Sequence, residues 1–424
     1  MTLDSAPRLD IDALIDDPAT RIVVCCGAGG VGKTTTAAAL GLRAAERGRR
    51  VVVLTIDPAR RLAQSMGIAS LDNTPRPVEG IDGDGDGELH AMMLDMKRTF
   101  DEIVEAHADP ERAKAILANP FYQSLSAGFA GTQEYMAMEK LGQLRAREEW
   151  DLIVVDTPPS RSALDFLDAP KRLGSFLDGK FIRVLMAPAR VGGRAGMRFL
   201  NAGMSMFTGT LSKLLGGELL KDVQTFVAAM DSMFGGFRTR ADATYRLLQA
   251  PGTAFLVVAA PERDALREAA YFVERLKAER MPLAGLVLNR VHTSGADRLS
   301  AERALAAAEN LDELGIVDRD GGKASSRTAH SPDTGSPTGA AVPAEPSTTP
   351  EYPVGASAER LTAALLRLHA ERMQVLARER RTRDRFAALH PEVPVAEVGA
   401  LPGDVHDLVG LRDIAHRLAE ARAV

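Results

Sequence analysis

Apolar and polar positions divide the chain into short aliphatic runs separated by stretches of helical periodicity. Residues 22–26 (Ile-Val-Val-Cys-Cys) hold no charged or hydrophilic position and end at a glycine-rich turn, which predicts a fully buried strand. A helix is expected from about Lys33 to Arg47, stopped by Gly48. Residues 51–56 (Val-Val-Val-Leu-Thr-Ile) read as a second strand with Asp57 at its C-terminal end, and 89–94 as another, with Asp82–Gly87 an exposed turn before it. Helical stretches continue to Arg147. Residues 152–155 form a strand that again ends in an aspartate, and further strands are expected at 254–259 and 284–288. A helix over 359–389, a strand near 393–398 and a helix over 408–421 close the pattern.

Apolar strands alternating with helices imply an α/β fold, a doubly wound and mostly parallel sheet covered on both faces. Two regions depart from that alternation. Residues 165–240 are helical in character and carry Met186, Met197, Met204, Met206, Met230 and Met233 with several Phe and Gly residues, an inserted helical subdomain. Residues 319–358 contain no Leu, Ile, Phe or Met, too little apolar surface to offset the entropy of ordering, and read as a disordered linker. The expected organisation is therefore a core in three pieces, 20–164, 241–318 and 359–424, interrupted by those two regions.

The net charge of −5 gives no general attraction to nucleic acid, so none is expected as a partner. The Arg-rich 372–385 stretch is interspersed with Glu371, Glu379 and Asp384, as on a solvated helix face. No apolar run reaches membrane-spanning length, and the first twenty residues are acidic, without the apolar core of a signal peptide, so a cytoplasmic location is expected. The two cysteines, Cys25 and Cys26, are adjacent, which suits a buried strand rather than a disulfide framework or metal knuckle.

Gly27-Ala28-Gly29-Gly30-Val31-Gly32-Lys33-Thr34 fits GxxxxGK[ST] at every fixed position and lies between a strand and a helix, as a P-loop must. Glycines let backbone amides turn inward around a phosphate, and the helix N-terminus adds partial positive charge. Lys33 is expected on the β- and γ-phosphates of ATP and Thr34 on Mg²⁺. Asp156 reads as the second Mg²⁺ anchor, directly or through water, or as a helix cap before Pro158. Asp57 reads either as the group that orients or deprotonates the attacking water or as a turn residue before Pro58.

Gly-Gly-Val-Gly-Lys-Thr-Thr (29–35), Asp57-Pro58-Ala59, Val155-Asp156-Thr157-Pro158-Pro159-Ser160 and Leu288-Asn289-Arg290 occur in the order seen in arsenite-pump-type ATPases, which include the ATPase that targets tail-anchored membrane proteins. The chain resembles that family over about 20–318 and 359–422. The resemblance implies a P-loop ATPase working as a nucleotide-driven dimer. Gly27, Gly29, Gly30, Val31, Gly32, Lys33, Thr34 and Thr35 would hold the nucleotide and Thr34 and Asp156 the metal. Asp57 would match the catalytic aspartate of the first switch, with Asp156 to Ser160 forming the second. Asn289 would read adenine, and the loop from Gly399 to Asp404, with Pro402, would close its pocket; the reading of Asn289 as a strand-end turn residue stays open.

Three features depart from the family. Ala28 stands where its members carry a lysine that crosses the dimer interface, so either a paralogue supplies that lysine in a heterodimer or Arg60, Arg61 or Arg161 substitutes. The zinc-binding CxxC is absent. So are the clustered cysteines that capture arsenite. Residues 181–237 fall where the targeting ATPase binds its clients; a Met- and Phe-bearing surface there reads as a groove for a hydrophobic helix or membrane protein, peripheral to the membrane, or as ordinary core. The alternatives carried forward are an energising subunit of a membrane anion exporter and a non-hydrolysing regulatory subunit, with a DNA-binding partitioning ATPase as a weaker third.

Overall fold

The computed structural model describes residues 6–57, 61–83, 85–120, 122–123, 126, 132–158, 239–320 and 354–420. Its strands are β1 Ile22–Cys26, β2 Arg50–Thr55, β3 Arg76–Pro77, β4 Glu88–Met93, β5 Leu152–Asp156, β6 Thr253–Ala259, β7 Leu283–Val291 and β8 Val395–Gly399. They form one sheet in the order β3-β4-β2-β5-β1-β6-β7-β8. Neighbours run parallel throughout except β3, which lies antiparallel on β4 at the edge. This is the mostly parallel α/β sheet that the aliphatic runs imply. β3 left no signal because it is two residues long and contains a proline, which a sheet tolerates at an edge.

The described helices are α1 Ile11–Asp16, α2 Lys33–Glu46, α3 Arg61–Ser65, α4 Met96–His107, α5 Pro110–Leu117, α6 Thr132–Ala146, α7 over 239–249, α8 Arg263–Ala278, α9 Ala301–Asp320, α10 Val354–Leu389 and α11 Leu408–Glu420. Alternate residues of each strand face opposite layers. Ile22, Val24, Val52, Leu54 and Val155 pack with Phe100, Met136 and Phe272 from α4, α6 and α8. Val23, Cys25, Val51, Val53 and Val154 pack with Ala37 and Leu40 of α2 and Leu411 of α11. Both faces are buried, so the central strands lose the polar alternation of a half-exposed sheet. The acidic N-terminus is explained by pairing: Asp12 accepts two bonds from Arg43 at 2.5 and 2.7 Å, and Asp16 pairs with Arg47, which ties α1 to α2.

The chain divides into two compact units, Met1–Val291 with Thr382–Val424, and His292–Arg381. Within the second, Arg367 pairs with Asp312, and the Arg372 guanidinium donates to the Thr293 carbonyl at 2.7 Å. Small buried residues, Ala304 and Ala308 on α9 and Ala363 and Ala370 on α10, line its interior. The sequence boundaries at 241–318 and 359–424 divide that unit at the expected linker instead. Helix α9 runs to Asp320 and α10 begins at Val354, so the flanks of the 319–358 stretch are helical. Residues 321–353, and 159–238 with the expected Met-bearing subdomain, lie outside the described residues.

Candidate nucleotide site

The C-terminal ends of β1, β2, β5, β6 and β7 converge on one edge of the sheet, where an open parallel sheet binds ligands. β1 opens there into the 27–32 loop, and α2 starts at Lys33. Gly27 has φ of +151°, and a Cβ on it would stand 2.1 Å from the Val258 carbonyl oxygen of β6. Gly32 has φ of +95°, and its Cβ would stand 2.2 Å from Asn289 Nδ2. Both positions favour glycine because a positive φ strains any side chain, and at Gly27 a backbone oxygen also fills the space a Cβ would take. Gly29 and Gly30 are exposed at the tip, Val31 is buried, and Thr35 is half-buried in the first turn of α2.

Lys33 is buried, and its Nζ donates to the Ala28 carbonyl at 2.7 Å, across the loop. Burial pulls its pKa down, opposed chiefly by the charge of Asp156. Asp156, 0% exposed, ends β5. Its Oδ2 accepts from Thr34 Oγ1 at 2.7 Å and from Thr55 Oγ1 at 2.9 Å. Its Oδ1 is buried with no hydrogen-bond partner among the described residues. Desolvation pushes the carboxyl up to about 6, against the two hydroxyl bonds and Lys33, while the charge of Asp57 adds to the rise.

Asp57 lies two residues beyond β2, half-buried, and its amide donates to Thr55 Oγ1 at 3.2 Å. Gln133 Nε2 of α6 donates to the Ile56 carbonyl at 3.0 Å, and the Ile56 amide donates to the Asp156 carbonyl at 2.9 Å. Asn289 is 8% exposed in β7. Its Nδ2 donates to the Val31 carbonyl at 2.9 Å, and its Oδ1 accepts from the Arg290 amide at 3.0 Å. The Ala400 amide bonds the Val291 carbonyl, so the loop carrying the exposed Pro402 leaves β8 beside the end of β7.

The fold thus brings Lys33, Thr34, Asp57 and Asp156 to one place and docks Asn289 onto the phosphate loop. Thr55 and Gln133 were not singled out from sequence. The one signal for Thr55 was a hydroxyl closing a run of four aliphatic residues; Gln133 left none. Of the arginines considered as substitutes, Arg60 and Arg161 lie outside the described residues, as does the side chain of Arg61.

The residues fit a magnesium nucleotide. A hydroxyl and a carboxylate with one free buried oxygen are the hard donors that Mg²⁺ prefers, and the loop is shaped by positions where a Cβ would intrude. Residues 20–304 match the anion-transporting ATPase family. This chain belongs to that family. Membership places it among ATPases. Among curated relatives, ATPase GET3 of Malassezia globosa is 30% identical over 172 residues, covering 41% of this chain and 49% of that protein. ATPase GET3 of Podospora anserina is 25% identical over 291 residues, 68% of this chain and 78% of the relative. ATPase ASNA1 homolog 2 of Paramecium tetraurelia is 24% identical over 286 residues, 66% and 78% respectively.

Proposed function

We propose that this chain binds ATP with Mg²⁺ in the 27–34 loop and hydrolyses it, and that its nucleotide states open and close a cytosolic dimer that shelters a hydrophobic helix of a membrane-protein client. The observation that carries the nucleotide reading is the Asp156 carboxylate, with one oxygen held by Thr34 and Thr55 and the other buried and unpartnered among the described residues. A buried polar atom without a partner is costly, and a metal ion or its water relieves that cost. Bound Mg²⁺ would neutralise charge on the phosphates. Thr34 and Asp156 would hold it. Lys33 would exchange the Ala28 carbonyl for phosphate oxygens, a stronger, charge-assisted partner. Asp57 would orient the attacking water and accept its proton, and Asn289, with the Pro402 loop, would contact adenine.

Support for the client reading is the Met- and Phe-bearing 181–237 sequence and the relatives named ATPase GET3. No helix among the described residues is long and apolar enough to cross a membrane. Calorimetric titration of ATP tests the site. Asp57→Asn should keep ATP affinity and abolish turnover, and the trapped form should co-purify with its client. Turnover by that variant at the wild-type rate rejects the role of Asp57.

A second reading concerns assembly. The loop position at which the resembling family carries its crossing lysine is Ala28, whose methyl group cannot reach a second protomer's nucleotide. Either a paralogue that carries the lysine pairs with this chain or Arg60, Arg61 or Arg161 takes its place, and an ATPase assay with and without that paralogue decides between them: full turnover by the chain alone removes the need for the paralogue.

A further inference from the structure

Thr55 ends β2 directly across the ladder from Asp156. It follows four aliphatic residues, Val51 to Leu54, and is 1% exposed. A hydroxyl buried among apolar side chains is unfavourable unless it is bonded. Its single proton has two acceptors in reach, Asp156 Oδ2 at 2.9 Å and the Asp57 carbonyl at 3.4 Å. The carboxylate is nearer and charged, so the proton points there. The oxygen lone pairs are then free to accept the Asp57 amide at 3.2 Å. The outcome is an unbroken chain from the phosphate loop to the first switch: Thr34 hydroxyl, Asp156 carboxylate, Thr55 hydroxyl, Asp57 amide.

We propose that Thr55 is a positioning residue for the nucleotide reaction, its hydroxyl fixing the rotation of the Asp156 carboxylate and tethering the backbone of Asp57. The proposal rests on the reading of 27–34 as a magnesium-nucleotide site. Two hydroxyls on Oδ2 direct Oδ1 to the remaining, unpartnered side. A carboxylate torsion is intrinsically soft, so losing one of those donors frees it to turn. The Asp57 amide loses its bond to the Thr55 hydroxyl in the same step. One side chain thereby couples the metal anchor to the residue that handles water.

Thr55→Val is nearly isosteric and removes only the hydroxyl; Thr55→Ser retains it. ADP is titrated calorimetrically into wild type and both variants, with Mg²⁺ and with EDTA. Thr55→Val should bind ADP in EDTA within about twofold of wild type and lose about tenfold of the affinity that Mg²⁺ adds, the scale of one hydrogen bond to a charged group. Thr55→Ser should recover most of it. Amide exchange at Asp57 should accelerate about tenfold in Thr55→Val while that of Val154 in β5 is unchanged. Full retention of the magnesium gain by Thr55→Val overturns the proposal. So does equal loss with and without magnesium, which marks a merely structural role, or failure of serine to rescue. Wild type that takes up no ADP at all sinks the nucleotide reading itself, and this inference with it.

Discussion

The side chain of Asn289, on β7, donates to the carbonyl of Val31 in the phosphate loop at 2.9 Å, across 258 positions of sequence. The Arg290 amide bonds its oxygen at 3.0 Å and so turns its nitrogen toward the loop. Asn289 therefore buttresses the loop as well as standing where adenine contact is proposed. Asn289→Asp sets a carboxylate oxygen against the Val31 carbonyl. ATP affinity should fall by at least about tenfold, roughly 1.4 kcal/mol. Calorimetry checks this, and an unchanged affinity removes the buttress.

Gly27→Ala is expected to destabilise the fold itself. The new methyl group would meet the Val258 carbonyl oxygen at 2.1 Å, and a backbone atom of a central strand cannot swing aside as a side-chain tip can. The cost should be about 3 kcal/mol, in the range of strained or overpacked core substitutions. Urea denaturation measures it; a loss below the error of the method contradicts the close approach of β1 and β6.

Gln133→Leu removes the donor that ties α6 to the Ile56 carbonyl, immediately before Asp57. A stability loss of about 1 kcal/mol is expected. Faster amide exchange confined to residues 55–57 and the start of α6 should accompany it, whereas exchange unchanged in both places would mean the contact holds neither element.

Asp12 provides the pH signature. The bidentate bond from Arg43 holds its pKa below the ordinary carboxylate value of 3.8. The folded chain releases that proton more readily than the unfolded one, so the stabilisation is complete above about pH 4 and fades as pH falls through the folded-state value. Asp12→Asn should cost about 1 kcal/mol at pH 7 and progressively less below pH 4, given a partly exposed pair. Chemical denaturation across pH 3–7 tests it, and a pH-independent difference between the two proteins rejects the ion pair as its source.

The central strands were legible because each is buried on both faces, leaving aliphatic runs that no surface strand would show. The strand-turn-helix at 22–46 was legible because its geometry is local: a strand, a turn that excludes Cβ atoms, then a helix N-terminus carrying Lys33 and Thr34. Asp156 was recognisable as a strand-terminal aspartate, and Asp57, expected at the end of a strand, lies two residues beyond β2. Helix α1 was not, since six residues carry too little periodicity to register and Asp12 and Asp16 acquire meaning only beside Arg43 and Arg47. Nor was the separate unit His292–Arg381, whose two helices are divided in sequence by a stretch without large aliphatic residues.

By itself, then, the order of residues determined the central strands, the longer helices and the glycine-shaped turn after β1, because hydrophobic periodicity and backbone sterics act over a few neighbouring positions. Only the tertiary structure decided that β2 and β5 lie side by side, which sets Thr55 on Asp156, and that β7 reaches the loop, which sets Asn289 on Val31. Those contacts join residues 101 and 258 positions apart. Strand order in a parallel sheet is settled by which strand edges pair and by the right-handed crossovers through the covering helices, long-range choices that local hydrophobic periodicity does not encode.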